Sequence, residues 1–354
     1  MKSIFTIIVT CLLINNTLRA QEPQNNVYPD EKHFKNVQQL TFGGDNAEAY
    51  FGFNDSQITF QRKNEDEGVM CDQIYYGTVP PIGANFNYKL VSTGKGRTTC
   101  AYLMPDGKHF LYASTHLAAD TCPPVPPRDP KKYVWPIYES YDIFVADFDG
   151  HIVKRLTNTP GYDAEATISP KGDKIIFTSM RNGDLDLYTM NIDGTHVKQI
   201  THTLGYDGGA CFSPDGKKIV WRASHPQKTE DIKEYKDLLA KGLVMPTKME
   251  IFVANADGTD VHQVTHLGKA NWAPAFTPDG KRIVFSSDFE HEYGFPFNLY
   301  LINLDGTGLE RISHETGFDA FPMFSPNGKK FIFSSMRNNG GSHDINVFVC
   351  DWVD

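Results

Sequence analysis

Phe212-Ser213-Pro214-Asp215-Gly216-Lys217-Lys218-Ile219-Val220-Trp221 encodes a tight turn and the strand that follows it. Proline presets φ at the second turn position, aspartate tolerates the third, and glycine takes the left-handed conformation. The Ile-Val-Trp run then has the β-branched and aromatic character of a buried strand. The same phrase recurs around Ser169-Pro170-Lys171-Gly172, Thr277-Pro278-Asp279-Gly280, Ser325-Pro326-Asn327-Gly328 and Met104-Pro105-Asp106-Gly107. A degenerate sixth copy occupies residues 51–60, with Phe53 at the proline position. The stretch before it, Asn46-Ala47-Glu48-Ala49, aligns without a gap onto Asp163-Ala164-Glu165-Ala166.

Downstream of each turn lies a third strand, as in Asp186-Leu187-Tyr188 or Asn298-Leu299-Tyr300, and a second turn such as Asp193-Gly194, Asp257-Gly258 or Asp305-Gly306. A fourth strand such as Val197-Lys198-Gln199-Ile200-Thr201 completes the unit. Four antiparallel strands recurring in this way mark the blade of a β-propeller. Anchor positions 53, 105, 170, 214, 278 and 326 predict six blades. The last repeat lacks a fourth strand, while a stray one, Val37-Gln38-Gln39-Leu40-Thr41, precedes the first. The fold expected is therefore all-β, a six-bladed β-propeller of four-stranded antiparallel blades, closed by the N-terminal strand completing the last blade. Closure of this kind removes exposed sheet edges.

Lys2, the apolar stretch 4–14 and Leu18-Arg19-Ala20-Gln21 read as a secretory signal. Residues 1–20 are assigned to it, 21–35 to a short extension and 36–354 to the propeller. A periplasmic or secreted location follows as an expectation. No later segment is apolar enough to span a membrane. The formal net charge of −9 argues against a nucleic-acid partner. After cleavage five cysteines remain, Cys71, Cys100, Cys122, Cys211 and Cys350. Cys100 and Cys122 flank one hairpin and form the preferred disulfide, with Cys71–Cys100 the alternative; Cys211 is expected as a small core residue.

The repeated Ser-Pro-Asp-Gly phrase, the Asp186-Leu187-Tyr188 strand and the Asp193-Gly194-Thr195 turn resemble the propeller of the TolB family over residues 36–354. The resemblance implies a propeller that binds protein or peptide across one face. The N-terminal α/β domain of TolB proper has no expected counterpart in residues 21–35. Similar propellers occur in oligosaccharide lyases and as accessory domains of serine peptidases. The chain carries no Gly-x-Ser-x-Gly elbow and no His-Glu-x-x-His pair.

Blade geometry brings the start of each inner strand, the loop after the second strand and the interblade loops to one mouth of the central channel. Seven residues before each turn anchor stand Asn46, Thr98, Asp163, Asp207, Asn271 and Asp319. Their oxygens would suit calcium or another divalent cation, or else cap the interblade turns. At the end of the second strand come His116, Arg181, His225 and Arg337. The two histidines fall in the blades with long insertions: a proline-rich arm at 116–136, and a segment around 229–242 where Thr229 can cap a helix and Gly242 can end it. These insertions are expected to form a lid. Arg97, Arg222 and Trp272 would add charge and an indole, suited to an anionic or sugar-like ligand; alternatively Arg222 pairs with Asp207. The ligand-binding residues proposed are thus Arg97, His116, Asp163, Arg181, Asp207, Arg222, His225, Trp272, Asp319 and Arg337. Two functions fit them. One is a non-enzymatic scaffold for an envelope or secreted protein. The other is an oligosaccharide-binding or lyase-like protein using His116, His225 and a divalent metal.

Overall fold

The computed structural model describes residues 26–292 and 296–354; the expected signal lies outside them. Six four-stranded antiparallel sheets are arranged as blades. Blade 1 comprises Asp45–Phe51, Gln57–Asn64, Val69–Thr78 and Tyr88–Leu90, and blade 2 Thr98–Leu103, His109–Ser114, Asp142–Asp147 and Ile152–Arg155. Blade 3 runs through Asp163–Ile168, Lys174–Ser179, Asp186–Asn191 and Lys198–Gln199, and blade 4 through Tyr206–Phe212, Lys218–Ser224, Glu250–Asn255 and His262–Gln263. Blade 5 uses Asn271–Phe276, Arg282–Ser287, Asn298–Asn303 and Glu310–Arg311. Blade 6 uses Asp319–Phe324, Lys330–Ser335 and Asn346–Trp352, and takes its outer strand, Phe34–Gln39, from the N-terminus.

The second strand of each blade runs apolar rather than alternating because neighbouring blades cover both of its faces. Phe60, Tyr112, Phe177, Trp221, Phe285 and Phe333 stand at equivalent positions on these strands and are fully buried. Between blades 4 and 5, for example, Val220, Ile251 and Val253 pack on Phe276, Ile283 and Phe285. The turn glycines Gly107, Gly172, Gly216, Gly280 and Gly328 have φ between 65° and 73°, the conformation the repeated phrase requires.

Ring closure is reinforced by charge. The Arg337 guanidinium, buried in blade 6, donates to Glu31 Oε1 at 2.9 Å and to Asp319 Oδ2 at 3.0 Å, tying the N-terminal segment to the last blade.

The insertions contain the expected helix, Thr229–Leu239, but Lys228 occupies its N-cap without a side-chain bond and Thr229 is the first helical residue. The disulfide joins Cys71 to Cys122, which corrects both expected pairings. Cys100 is free because its backbone turns the thiol into the channel, where it donates to Glu48 Oε2 at 2.7 Å. Cys211 is half-buried: it packs against the core between blades 4 and 5, as expected, and also reaches the channel wall.

Candidate functional site

Every inner strand breaks its pairing register at one equivalent place. Two residues after each mouth position stand Glu48, Cys100, Glu165, Gly209, Ala273 and Phe321, with φ of 50°, 43°, 55°, 62°, 48° and 57°. Five are not glycine, and each such left-handed residue costs about 1 kcal/mol or more. The sheet pairing on either side holds them there. All six line the central channel. The repeat alignment of Asn46-Ala47-Glu48 with Asp163-Ala164-Glu165 contained this position, but a β-bulge has no composition signal of its own. It was therefore the missed element of the site.

At this level Glu165 accepts from Tyr206 Oη at 2.9 and 2.8 Å, Thr178 Oγ1 at 2.7 Å and the Gly209 amide at 3.1 Å, and pairs closely with Arg222. Arg222 thus bridges blade 4 to blade 3 rather than pairing with Asp207. Burial pushes the Glu48 carboxyl above its ordinary value, opposed by the Cys100 thiol and the Arg222 charge. Burial and Glu48 hold the Cys100 thiol well above its usual range, so it remains a protonated donor.

These residues separate two chambers. The lower one, about 260 Å³, is apolar and ringed by Pro170, Pro214, Pro278 and Pro326 from the repeat turns. The upper one, about 550 Å³, lies under the insertions. Here the two arms meet: Trp135–Pro136 pairs antiparallel with Leu243–Val244, and the Ile137 amide donates to Gly242 O at 2.7 Å. Tyr235 of the helix donates to Asp184 at 2.5 Å, seating the second arm on blade 3. The disulfide fastens the first arm to blade 1. A strap anchored at both ends therefore runs along the mouth.

Of the ten residues proposed from sequence, Arg97, Arg222 and Trp272 line this upper chamber. Arg97 pairs with Asp72 at 3.1 Å. Trp272 lies tilted against Trp135, with ring centroids 4.9 Å apart, and donates its indole N–H to Pro246 O at 2.9 Å.

The other seven sit in the blades. Asp163 pairs with Arg181 at 3.0 Å, Asp207 with His225 at 3.0 Å and Asp319 with Arg337 at 3.0 Å, each within a single blade. The residue after the second strand also covers a third-strand ring of its own blade. Arg181 lies over Tyr188 at 4.9 Å, His225 over Phe252 at 5.0 Å and Arg337 over Phe348 at 5.8 Å. His116 follows suit, 4.4 Å from the Phe144 ring, with Nδ1 at 2.9 Å from Ser114 Oγ. The two histidines are thus not brought together. The remaining mouth residues bind backbone: Asn46 donates to Ile345 O at 3.0 Å, Thr98 to Asp72 O at 2.9 Å and Asn271 to Met249 O at 2.8 Å. Among the described residues no three His, Cys, Asp or Glu side chains are grouped as metal ligands.

The architecture and its strapped mouth define a six-bladed propeller with a covered central chamber. The chain belongs to the TolB beta propeller domain family, whose description matches residues 137–241 and 239–350. No curated protein matches it. Among solved structures it is similar to a protein described as a TolB from Agrobacterium tumefaciens, at 18% identity and TM-score 0.56, covering 88% of this chain and 91% of that one. TolB from Acinetobacter baumannii matches at 18% identity and TM-score 0.51, over 87% of this chain but only 63% of that one. An oligogalacturonate lyase in complex with manganese matches at 15% identity and TM-score 0.50, over 92% and 96%. At these identities the likeness is one of fold.

Proposed function

We propose that the protein is an exported, non-enzymatic propeller that holds a partner protein or small ligand in the strapped upper chamber. The observation that carries this reading is the strap itself: two insertions from different blades meet as paired strands over an aromatic-walled cavity. Long ordered loops that converge on a cavity usually serve binding. The charged groups at the mouth support it as well, because Arg97 with Asp72 and Arg222 with Glu165 are committed to each other. Export is supported by the signal pattern of residues 1–20 and by the Cys71–Cys122 disulfide, which suits an oxidising compartment.

The second reading is an oligosaccharide-binding or lyase-like protein with a divalent metal at the mouth. The wall of Trp135, Trp272 and Tyr133, with Tyr133 stacked on Trp272 and Trp135 tilted against it, favours it, since indoles suit sugar faces. A photo-crosslinking residue in place of Tyr138, on the chamber wall, separates the first reading from a propeller that acts elsewhere. Expected are adducts at Tyr138 and none at Lys171, in a turn on the opposite face; adducts at Lys171 alone would overturn it. Thermal shift with manganese, calcium and acidic oligosaccharides, repeated with His116→Ala and His225→Ala, tests the second reading. A ligand-dependent rise lost in both variants would favour it.

A further inference from the structure

The upper chamber has more carboxylates than cations. Asp45, Glu48, Asp72 and Glu165 reach its wall, against Arg97 and Arg222, with His343 beside them. Arg97 is taken by Asp72 and Arg222 by Glu165. Among the described residues Asp45 and Glu48 form no ion pair of their own: Lys63, opposite Asp45 in the sheet, pairs with Glu65 at 2.7 Å and reaches Asp45 only through its charge, as Arg222 does Glu48. Much of the rest of the wall is aromatic, with Tyr133, Trp135, Tyr138, Tyr162, Tyr206 and Trp272 among aliphatic and polar residues such as Ile137, Met336 and Gln61. It already accommodates one cation: the Arg222 guanidinium lies 5.2 Å from the Trp135 ring and 5.6 Å from Tyr206. Ring faces, and carboxylates that outnumber the arginines, in one partly desolvated cavity together favour a positive organic group.

Resting on the binding role given above, we infer that this chamber recognises an ammonium group. The class is an alkyl- or quaternary ammonium, which draws on ring faces as well as on the carboxylates of Asp45 and Glu48. A hard metal ion would favour several converging carboxylates, and no group of three His, Cys, Asp or Glu side chains placed as ligands occurs among the described residues. An acidic sugar would meet Asp45 and Glu48 across arginines that are already neutralised. The anionic ligand expected from Arg97 and Arg222 is thus the one this charge balance opposes. The net charge of −9 would draw a cation inward over longer range.

The ammonium can come from a free amine or from a lysine side chain of a partner, and the test separates these sources. Full-length mature protein with labelled indoles is titrated with choline and with its uncharged isostere 3,3-dimethylbutanol. A second pair is the peptide acetyl-Ala-Lys-Ala-amide and its norleucine counterpart. Trp135 and Trp272 report the chamber, while Trp221, buried in blade 4, and Trp352, at the ring closure, report that the fold is intact. Expected is saturable movement of the Trp135 and Trp272 signals, with each cation about tenfold tighter than its neutral partner. The double variant Asp45→Asn, Glu48→Gln should remove that preference while leaving Trp221 and Trp352 in place. Response to choline points to a free amine, and response to the lysine peptide alone points to a protein partner. Equal binding of charged and neutral probes, or no response to either cation, overturns the inference. Tighter binding of trigalacturonate at the same indoles would overturn it while leaving the chamber's binding role standing.

Discussion

Arg222, on the second strand of blade 4, meets Glu165, in the bulge of blade 3, so that one ion pair joins two blades where the upper and lower chambers touch. Both side chains are only about a tenth exposed, 11% and 10%. Removing one partner of such a pair leaves the other charged and unmatched, which typically costs about 3–5 kcal/mol. Arg222→Met is expected to destabilise by about 3 kcal/mol, because Tyr206, Thr178 and the Gly209 amide still serve Glu165. Glu165→Gln combined with Arg222→Met should cost less than the two single changes added together, measured by urea denaturation in a double-mutant cycle. Simple additivity would mean that the pair contributes nothing to the blade seam.

The two histidines give opposite pH signatures. Burial holds His116 below its ordinary value of 6.5, with the Asp142 charge opposing and Lys95 and Arg155 assisting. The unfolded chain therefore takes up a proton that the folded chain resists, and stability falls as pH drops below about 6.5. His225 is shifted upward: burial opposes its charging, but the hydrogen bond and charge of Asp207 outweigh it. Its stabilisation is fully present below about pH 6.5 and is lost as pH rises through the higher folded value. Burial raises the Asp207 carboxyl from its ordinary value, with the hydrogen bond and charge of His225 opposing. His116→Phe copies the Phe289–Tyr300 contact of blade 5 and should flatten the acid limb of melting temperature against pH. His225→Arg copies the Asp163–Arg181 pair of blade 3 and should flatten the limb above pH 6.5. A profile unchanged by both substitutions would rule out these histidines as its source.

Why the blades were legible and the site only partly so is a matter of which physics each uses. Turn chemistry is local: Pro214-Asp215-Gly216 specifies its conformation in three residues, and five clear copies fix the blade register. Even the closing strand declared itself, since 37–41 repeats the 197–201 phrase. Mouth positions such as Asp163 and Arg181 are legible as a repeated pattern, but the two pair with each other inside blade 3 instead of lining the chamber. Among Glu48, Cys100, Glu165, Gly209, Ala273 and Phe321 only the two glutamates share a residue type, so periodicity does not single the position out. The disulfide is illegible for the same reason: chain order places Cys100 and Cys122 on one hairpin, whereas the φ of 43° at Cys100 directs its thiol to Glu48. The contact between the arms at Val244 and Trp135 joins blades 2 and 4 across a third, beyond any local signal.

Cys71 and Cys122 close a loop of 51 residues, a separation for which loop entropy gives about 4 kcal/mol of stabilisation at most. Peptide mapping of the oxidised protein should recover a Cys71–Cys122 cross-link and a free Cys100. Cys100, buried and held protonated, is expected to resist alkylation until the protein unfolds. Reduction should lower the melting temperature and loosen the arm at its blade 1 end, while the strand pairing with Leu243–Val244 persists at the other. Recovery of a Cys100–Cys122 peptide would contradict the arrangement.

Gly209 offers the sharpest test of the bulge. It is the one bulge position without a side chain, and a Cβ there would lie 2.3 Å from Arg222 Nη1 and 2.9 Å from its Cζ. That guanidinium is the end of a flexible side chain, but Glu165, Trp135 and Tyr206 hold it in place. Gly209→Ala should therefore act twice. The left-handed backbone, φ 62°, costs alanine about 1 kcal/mol, a cost Ala273 already bears in blade 5. The clash would then push Arg222 from Glu165, adding a loss on the order of 3 kcal/mol. In an Arg222→Ser background, which copies Ser286 of blade 5, only the backbone cost should remain. Urea denaturation of the four proteins reads this directly: Gly209→Ala should be markedly more damaging with Arg222 present than with serine. Equal costs in the two backgrounds would mean that the glycine is set by the backbone alone, and that Arg222 does not need the space it leaves.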